Sequence, residues 1–397
     1  MKYNFDKQEK QRGTWSIKWD QFEDPDVLGM ANADMDFRAS DCIIRALEET
    51  AKRGYFNYHM KPDAYFEAVT GYYKRRFDWE VKREWMLSTP GIWAATRLCI
   101  ETYTKPGDRI IVQSPRFGPL ARIVKNAGRH LVLNPMTLKN GRFEIDFEDF
   151  EKKIQEEQPA LYFMVNLQNP TGRVFTREEV ERLQRICYEN HVMVISDEVH
   201  ANLLFKGVVH TPAPTVSQEA AENTVLLTAA SKSWNIVDLT YCVIIAPDTY
   251  KREKLLETLN GYSFNFATNA FSIAGTTAAF SPEGEKWNQE AALYIEENVD
   301  YLMEYFEKYI PEIRPIRPEG SFLVWLDCRE MGMDSQELYD FFLKKAKVGL
   351  SDGAAYGPDG VGFERINIGC TKATLETALQ RIRKAMEERR GKNIKSL

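Results

Sequence analysis

Short apolar runs alternate with longer amphipathic stretches through the middle of the chain. The runs lie at 109–113, 131–133, 161–165, 192–196 and 224–228, and most gaps between them can hold a helix, for example 177–190. A run that is apolar without alternation is typical of a strand buried on both faces of a sheet. The pattern therefore predicts an α/β fold with a mostly parallel, doubly wound sheet.

The next apolar run, 241–246, does not fit the parallel series. Only twelve residues separate Thr228 from Tyr241. A parallel connection needs a crossover of about a dozen residues or more, so this gap barely suffices. We therefore predict that 241–246 is an antiparallel neighbour of 224–228.

The pattern changes after about Ser281. A long charged helix is predicted at 283–309, followed by alternating segments at 321–327 and 363–368 and by a final amphipathic helix with Leu375, Leu379, Ile382 and Met386 on one face. Because single hydrophobic cores stop growing at roughly 250–300 residues, we expect two domains in a chain of 397 residues. We predict a large domain over 46–285, and an N-terminal arm with a smaller α+β domain over 1–45 and 286–397.

Composition restricts the classes of partner. The formal net charge is −6, and acids and bases are mixed along the chain, which leaves no basic stripe for nucleic acid or an anionic membrane. No apolar run approaches the ~18 residues of a membrane span, and residues 1–10 are too polar for a signal peptide. The six cysteines have no CxxC pair and no histidines at metal-ligand spacing, so we expect reduced core thiols, no metal and a cytoplasmic location. Small molecules are the expected partners.

Lys232 lies just after the predicted strand 224–228, within the segment TVLLTAASKSWNIVDL. Ligands of parallel sheets bind beyond the carboxyl ends of the strands, so a lysine at this position can face a bound molecule. Burial would disfavour its ammonium form and leave an amine nucleophile. Taken alone, however, such a lysine is more often an ordinary surface cation.

Asp197 and Glu198 directly follow the strand 192–196. The magnesium-binding strand of a nucleotidase has the same pattern, but the chain has no GxxxxGK[ST] motif, and the glycines of 357–362 do not follow a strand as a dinucleotide fingerprint does. Two interpretations of Asp197 remain open at this point. It is either an ionised acid paired with a cation, such as a protonated ring nitrogen, or a helix N-cap.

Three further loops carry candidate binding groups. Asn169 lies in the turn 166–173, NLQNPTGR, whose amides could bind a ligand. Phe117 follows the strand 109–113, where its ring could stack on a planar ligand or pack in the core. Gly91 opens a helix whose first N–H groups have no partner within the helix, which is a site for a phosphate.

The segment ADMDF at 33–37 also allows two interpretations. Its aspartates could form the corner of a metal site, but an ordinary loop in which Asp caps a helix beginning near Ser40 is favoured. The polar, aromatic stretch 4–20 that precedes it is expected to lie on the rest of the protein as an arm.

Together, SKSWN with Lys232, SDEVH with Asp197, NPTG with Asn169 and FERIN with Arg365 resemble the fold type I pyridoxal-phosphate aminotransferases. The resemblance covers nearly the whole chain. Within that superfamily, the N-terminal NFD, KWD and ADMDF segments, the DEVH motif and the segment RGYFNY ending at Tyr58 resemble the cystathionine β-lyase, or C–S lyase, branch.

The resemblance implies pyridoxal 5′-phosphate as the cofactor. Lys232 would hold it as a Schiff base and later take the substrate Cα proton. Asp197 would pair with the pyridinium nitrogen, and Arg365 would bind the substrate α-carboxylate as a planar bidentate partner. The other implied positions are Asn169 and His200 near the phenolic oxygen, Phe117 on the ring, Gly91, Ile92, Trp93 and Ser231 around the phosphate, Tyr58 from the second subunit of a homodimer, and Ala33 with Asn169 at the substrate.

The implied activity is a C–S β-lyase that cleaves cystathionine, cysteine or a related S-conjugate to a thiol, pyruvate and ammonia. An aminotransferase on the same scaffold is one alternative, and a regulatory binding protein on a lyase scaffold is another. The chain departs from the branch at Gln168, Asn202, Asp238 and Ala31-Asn32, where His, Asp, Gly and Trp-Val are usual. Thr240 stands where many aminotransferases have a phosphate-binding arginine, which favours the lyase.

Overall fold

The computed structural model of the chain describes residues 3–264 and 268–395. Its α-helices are α1 (Ile17–Asp20), α2 (Asp41–Lys52), α3 (Asp63–Phe77), α4 (Ile92–Tyr103), α5 (Gly118–Asn126), α6 (Phe147–Glu157), α7 (Arg177–Glu189), α8 (Gln218–Asn223), α9 (Thr249–Gly261), α10 (Ala270–Ala279), α11 (Pro282–Tyr309), α12 (Ser335–Asp340) and α13 (Lys372–Lys395). Its strands are β1 (Leu28–Gly29), β2 (Met86–Thr89), β3 (Arg109–Ser114), β4 (His130–Pro135), β5 (Thr137–Lys139), β6 (Arg142–Glu144), β7 (Leu161–Val165), β8 (Met193–Asp197), β9 (Thr224–Thr228), β10 (Cys242–Ile245), β11 (Arg314–Ile316), β12 (Leu323–Asp327), β13 (Val348–Gly349), β14 (Ser351–Asp352) and β15 (Phe363–Asn367).

A seven-stranded sheet lies at the centre of the fold, in the order β2-β10-β9-β8-β7-β3-β4. The pairs from β9 to β4 are parallel, and β10 is antiparallel to both of its neighbours. The α/β fold with a mostly parallel sheet and the antiparallel position of 241–246 are therefore confirmed. Every residue of β7, β8, β9 and β10 is buried, which explains the absence of polar alternation in these runs.

Helices cover both faces of this sheet. On one face, α4, α5 and α9 share a hydrophobic core with Ile110 and Val112 of β3. On the other face, α6 and α7 pack on Ile111 of the same strand. Successive side chains of a strand point to opposite faces, so one apolar run supplies both cores. Of these helices, α5, α6 and α7 lie in the gaps between the apolar runs, as the sequence predicts.

The pattern of apolar residues does not predict the edge strand β2. This strand has only four residues, and it ends in the polar pair Ser88 and Thr89, both of which are buried. Its backbone pairs with β10, so that Thr89 lies opposite Cys242. Pairing with a distant strand decides the conformation of such a short segment.

A smaller antiparallel sheet follows, in the order β11-β12-β15-β14. The helices α11 and α13 pack on it, and Leu375, Leu379, Ile382 and Met386 are fully buried there, so the predicted apolar face of the last helix is confirmed. The predicted boundaries at 45/46 and 285/286 fall within the continuous helices α2 and α11. The division into two domains stays a prediction.

The arm near the amino terminus lies on the hydrophobic core that contains α11 and α13. The ring of Phe5 is buried, with its centroid 5.6 Å from that of Trp287 and 5.5 Å from that of Tyr294. The six cysteines are also buried, and all carry free thiols, as expected. Within the described ranges, we find no helix whose length and apolarity would suit a bilayer span.

Candidate active site at the carboxyl edge of the sheet

The loops that carry the predicted site residues leave the same edge of the central sheet. β9, β8, β7 and β3 are consecutive parallel strands. Lys232 follows β9, Asp197 ends β8, Asn169 follows β7 and Phe117 follows β3. Since the carboxyl ends of parallel strands meet at one edge, the topology brings these residues into one region.

Lys232 is partly buried, and its Nζ donates a hydrogen bond to the carbonyl oxygen of Ala33 at 2.9 Å. The pKa of Lys232 is lowered to about 8, mainly by burial; the carboxylates of Asp34 and Asp197 oppose this shift, and the charge of Arg365 adds to it. An appreciable fraction of the amine is therefore neutral near physiological pH. Attack on an aldehyde needs that neutral form.

Asp197 is buried at the end of β8, and its Oδ1 accepts a hydrogen bond from the backbone N–H of Val199 at 3.1 Å. A turn follows, so the interpretation of Asp197 as a helix N-cap is wrong. Burial raises the pKa of Asp197 to about 7, and the charge of Glu198 adds to the rise. A cation placed beside this carboxyl would reverse the shift, because opposite charges stabilise each other's ionised form.

His200 is buried three residues after Asp197, with Nδ1 3.1 Å from Ser321 Oγ. Burial lowers the pKa of His200 to about 3, and the positive charges of Lys232 and Arg365 act in the same direction. The imidazole is therefore neutral at physiological pH. It can donate or accept a hydrogen bond without adding charge to the site.

Arg365 lies on β15 of the smaller sheet and points toward the loop after β7. Its Nη1 donates to Asn169 Oδ1 at 3.1 Å, and its Nη2 donates to the carbonyl oxygen of Ala31 at 2.8 Å and to Ser351 Oγ at 3.3 Å. Its buried Nε has no hydrogen-bond partner in the part of the chain that the structure describes. Burial lowers the pKa of Arg365, yet a guanidinium stays charged in proteins. A buried cation with an unused donor suits an anionic ligand.

Gly91 precedes α4 with φ of +90°, a conformation that favours glycine. A Cβ atom added at Gly91 would lie 3.9 Å from Thr240 Cβ. Thr240, which stands where many aminotransferases have a phosphate-binding arginine, is therefore next to the start of α4. Ile92 and Trp93 form the first turn, where N–H groups lack partners within the helix. Ser231, directly before Lys232, is partly buried. These groups can bind a phosphate.

The remaining predicted residues lie around these groups. The ring of Phe117, at the start of α5, has its centroid 6.3 Å from that of Trp93, and Trp93 is half exposed. Ala33 contributes its carbonyl oxygen to Lys232. Tyr58 lies in the segment 54–62, and its side chain is 87 % exposed. Contact of Tyr58 with a second subunit stays a prediction.

Two departures from the branch have structural roles. Gln168 Nε2 donates to the carbonyl oxygen of Pro115 at 2.6 Å, and its Oε1 accepts from the backbone N–H of Thr171 at 2.9 Å. It therefore links the loop after β7 to the loop after β3. Asn202 Nδ2 donates to Thr228 Oγ1 at 3.3 Å. None of these hydrogen bonds involves Lys232, Asp197 or Arg365.

The other departures lie at the margin of the site. Asn32 Oδ1 accepts a hydrogen bond from Gln21 Nε2 at 3.1 Å, so this side chain faces the residue that directly follows the stretch 4–20. Ala31 presents its carbonyl oxygen to Arg365. Asp238 is exposed to solvent.

The acidic segment 33–37 differs from its sequence interpretation. The N-cap of α2 is Ser40, so the prediction that Asp caps this helix is wrong. Asp36 Oδ1 instead lies 3.1 Å from the buried Nζ of Lys18 and accepts a hydrogen bond from Trp19 Nε1 at 2.8 Å. Asp34, whose charge acts on Lys232, was not predicted as a site residue. The motifs KWD and ADMDF contain Lys18, Asp34 and Asp36, but the sequence does not show that Lys18 pairs with Asp36.

Two asparagines were also missed. Asn235, in SKSWN, donates to the carbonyl oxygens of Met35 at 2.9 Å and Phe37 at 2.7 Å, and it accepts from the N–H of Met35 at 2.9 Å. Asn367, in FERIN, donates to the carbonyl oxygen of Asp34 at 2.7 Å. Asn235 holds residues 33–37 against the loop after β9, and Asn367 holds them against β15 of the smaller sheet. Asn235 lies in the same motif as Lys232, and Asn367 lies in the same motif as Arg365. That shared location is the sequence signal that could have identified them.

The chemistry of this donor set fits pyridoxal phosphate. It combines an amine of lowered pKa for an aldehyde, a buried carboxyl of raised pKa that a cationic ring nitrogen would stabilise in its ionised form, and a helix start that can receive a phosphate. Within the described residues, no group of three or more His, Cys, Asp or Glu side chains is placed to hold a metal ion.

Comparison with known proteins gives similar chains of nearly the same length. The cystathionine beta-lyase PatB of Bacillus subtilis is 38% identical, over 96% of this chain and all of the relative. The structure of cystalysin from Treponema denticola, which contains a pyridoxal 5′-phosphate cofactor, has a TM-score of 0.93 at 26% identity, covering 98% of this chain and 100% of that one. The PLP-bound C-S lyase from Staphylococcus hominis has a TM-score of 0.89 at 29% identity, covering 96% and 98%.

The sequence model of the aminotransferase class I and II family matches residues 25–382. This range contains the central sheet, the strand-end loops and Arg365. The chain therefore belongs to the aminotransferase class I and II family.

Proposed function

We propose that this protein is a pyridoxal-phosphate-dependent C–S β-lyase that cleaves cystathionine, cysteine or a related S-conjugate to a thiol, pyruvate and ammonia. The observation that carries the proposal is the convergence of Lys232, Asp197 and Arg365 at one edge of the sheet. The choice of elimination is supported by the similarity to relatives named as cystathionine β-lyase and C–S lyase.

In this proposal, Lys232 binds the cofactor aldehyde and Asp197 pairs with the protonated ring nitrogen. Asn169 and the neutral His200 lie near the phenolic oxygen, and Phe117 contacts the ring. The phosphate is bound by Gly91, Ile92, Trp93 and Ser231 of one subunit and by Tyr58 of the other. Arg365 and Asn169 bind the substrate α-carboxylate beside Ala33.

Each of these residues has a definable task during elimination. Arg365 orients the substrate through its carboxylate, which also neutralises the buried guanidinium. Bound pyridoxal phosphate supplies the aldehyde for the substrate amine and an electron sink for the electrons of the Cα–H bond. The neutral amine of Lys232 takes the Cα proton as a general base. The Cβ–S bond then breaks, the sulfur leaves with its electron pair and receives a proton, and hydrolysis of the released enamine gives pyruvate and ammonia.

The test of the proposed activity is turnover without a keto acid. Purified enzyme with cystathionine is expected to release pyruvate and thiol over many turnovers per bound cofactor, because elimination regenerates the starting cofactor. Stoichiometric conversion that stops after one turnover, and resumes only on addition of a keto acid, would show an aminotransferase instead. Alanine, which has no β leaving group, is the matched control substrate and should give no pyruvate without a keto acid.

We further propose that the active unit is a homodimer with shared sites and that it is cytoplasmic. The segment 54–62 supports the shared site, since Tyr55, Phe56, Tyr58 and Met60 are all at least 67 % exposed. Clustered exposed apolar side chains mark interaction surfaces. The six free, buried thiols support a reducing compartment.

Mixed dimers test this arrangement. Tyr58→Phe is expected to weaken cofactor binding about tenfold or more, because a hydrogen bond to a charged group contributes about 1.5–3 kcal/mol. When Tyr58→Phe and Lys232→Ala chains are refolded together, each mixed dimer has one site with both wild-type residues. Random pairing in a two-fold dimer should restore about a quarter of wild-type activity.

The control for this experiment is Tyr55→Phe, the same change at a neighbouring exposed tyrosine. It should leave cofactor affinity unchanged on its own. If mixed dimers form, as shown by differently tagged chains, but activity does not rise above that of the separate variants, the site is not shared through Tyr58.

A further inference from the structure

Residues 31–36 accept hydrogen bonds from three side chains of the candidate site. The carbonyl oxygen of Ala33 accepts from Lys232, that of Ala31 from Arg365, and that of Asp34 from Asn367. The donors come from two distant places in the sequence, the loop after β9 and strand β15, whereas the acceptors lie within the four residues 31–34. The position of this short segment therefore determines how the donors are arranged.

The motif KWD fixes the segment from one side. The Nζ of Lys18 lies 3.1 Å from Asp36 Oδ1 and donates to the carbonyl oxygen of Asp34 at 3.3 Å, and the side chain of Lys18 is only 1 % exposed. On the other side, Asn235 binds the backbone of Met35. A buried ion pair with several backbone hydrogen bonds leaves a segment little freedom to move.

This fixation also holds Asp34, whose charge acts on Lys232. The Ala33 oxygen that receives Lys232 Nζ belongs to the peptide that joins Ala33 to Asp34. The groups whose charges act on Lys232 are Asp34, Arg365 and Asp197, and Asp34 is the strongest of them. Burial raises the pKa of Asp34, while the charges of Lys18 and Lys232 lower it and the charge of Asp36 adds to the rise. Negative and positive charges therefore alternate along the series Asp36, Lys18, Asp34 and Lys232.

We propose that Asp34, held in place by Lys18, is a positioning residue that favours the protonated form of Lys232. The consequence for catalysis rests on the proposed function. In the proposed function, Asp197 pairs with the ring nitrogen of the cofactor. Asp34 is then the other carboxylate whose charge acts on Lys232. When the amine takes the Cα proton, an N–H bond forms beside this carboxylate. When the sulfur leaves, that N–H bond breaks and an S–H bond forms, which restores the neutral amine.

The charge of Asp34 can be removed with little change in shape by Asp34→Asn. In the holoenzyme, the pH midpoint of the visible absorbance of the lysine-bound cofactor is expected to fall by about one pH unit, the low end of the effect of a carboxylate within ~4–6 Å. Asp34→Glu should restore the wild-type midpoint. Asp238→Asn, the same chemical change at an exposed position of the lysine loop, should leave it unchanged.

A second measurement does not depend on the cofactor. Full-length protein freed of cofactor is labelled with trace acetic anhydride across pH, and the midpoint for the Lys232 peptide is read by mass spectrometry. Asp34→Asn is again expected to lower the midpoint by about one pH unit. Should the asparagine variant fail to fold, Asp34→Ser removes the same charge and is used in its place.

The outcomes separate the two proposals. A folded Asp34→Asn protein with wild-type midpoints in both measurements would overturn the role of Asp34, and the lyase assignment would stand. A shifted labelling midpoint in Asp34→Asn, together with a wild-type enzyme that produces no pyruvate from cystathionine, would support the role of Asp34 and reject the lyase assignment.

Discussion

Lys232→Ala is expected to remove cofactor-dependent activity almost completely. In the proposed function, the substitution deletes both the amine that binds the aldehyde and the base that takes the Cα proton. General-base catalysis alone contributes about 10²–10⁴-fold, so a loss of roughly 10³-fold or more in kcat is expected. The visible absorbance of the lysine-bound cofactor should disappear at the same time.

The measurement is kcat for thiol release together with the absorbance spectrum. Lys206→Ala removes an exposed lysine and serves as the control, with both properties expected to match the wild type. A Lys232→Ala protein that kept the wild-type spectrum and turnover would mean that another amine holds the cofactor.

Glu364→Gln is expected to stabilise the protein at alkaline pH. Glu364 lies on β15, next to Arg365, and its side chain is 1 % exposed. Its carboxyl oxygens have no hydrogen-bond partner among the described residues. In the strand register, Glu364 lies opposite Asp352 on one side and Leu326 on the other. Burial, with a smaller effect of the Asp352 charge, raises the pKa of Glu364 from 4.5 to about 8.

The direction of the pH effect follows from this raised pKa. Above about pH 4.5 the unfolded chain loses the proton, whereas the folded protein keeps it until about pH 8. The free energy of unfolding therefore falls as the pH rises through this window, by about 3–5 kcal/mol for such a difference in pKa. Glutamine does not titrate, so the variant should not show this part of the loss.

Urea unfolding at pH 5 and pH 9 measures the effect. The wild type should lose about 3–5 kcal/mol more than Glu364→Gln between the two pH values. Glu297→Gln makes the same change at an exposed position of α11, where an effect within about 0.5 kcal/mol is expected. Equal losses in the wild type and Glu364→Gln would show that Glu364 is already ionised in the folded protein.

The sequence predicts the central sheet well because burial on both faces leaves a clear signal. Runs such as Leu161–Val165 are apolar throughout, and the short gap before 241–246 identifies the antiparallel strand. β2 gives no such signal, since half of its residues are polar and its pairing with β10 is set by tertiary structure. Local pattern predicts strands that have long apolar runs, but not short edge strands.

The site likewise contains residues that the sequence predicts and residues that it does not. Residues at strand ends, such as Lys232 and Asp197, could be predicted because the rule for parallel sheets gives their location. The role of Lys18 could not, since it depends on a contact with Asp36 across a bend of the arm. The charge of Asp34 acts on Lys232 although 198 positions separate the two residues, and neither residue's local sequence indicates that interaction. Backbone acceptors such as the Ala33 carbonyl carry no residue-type signal at all.

The central claim is that Lys232 binds pyridoxal phosphate at the end of β9. Reduction of the purified holoenzyme with borohydride, followed by proteolysis and mass spectrometry, tests it most directly. The pyridoxyl mass is expected on the peptide that contains Lys232, with full occupancy and no other modified lysine. A pyridoxyl group on a different lysine, or an unmodified Lys232 in protein that binds the cofactor, would contradict the claim.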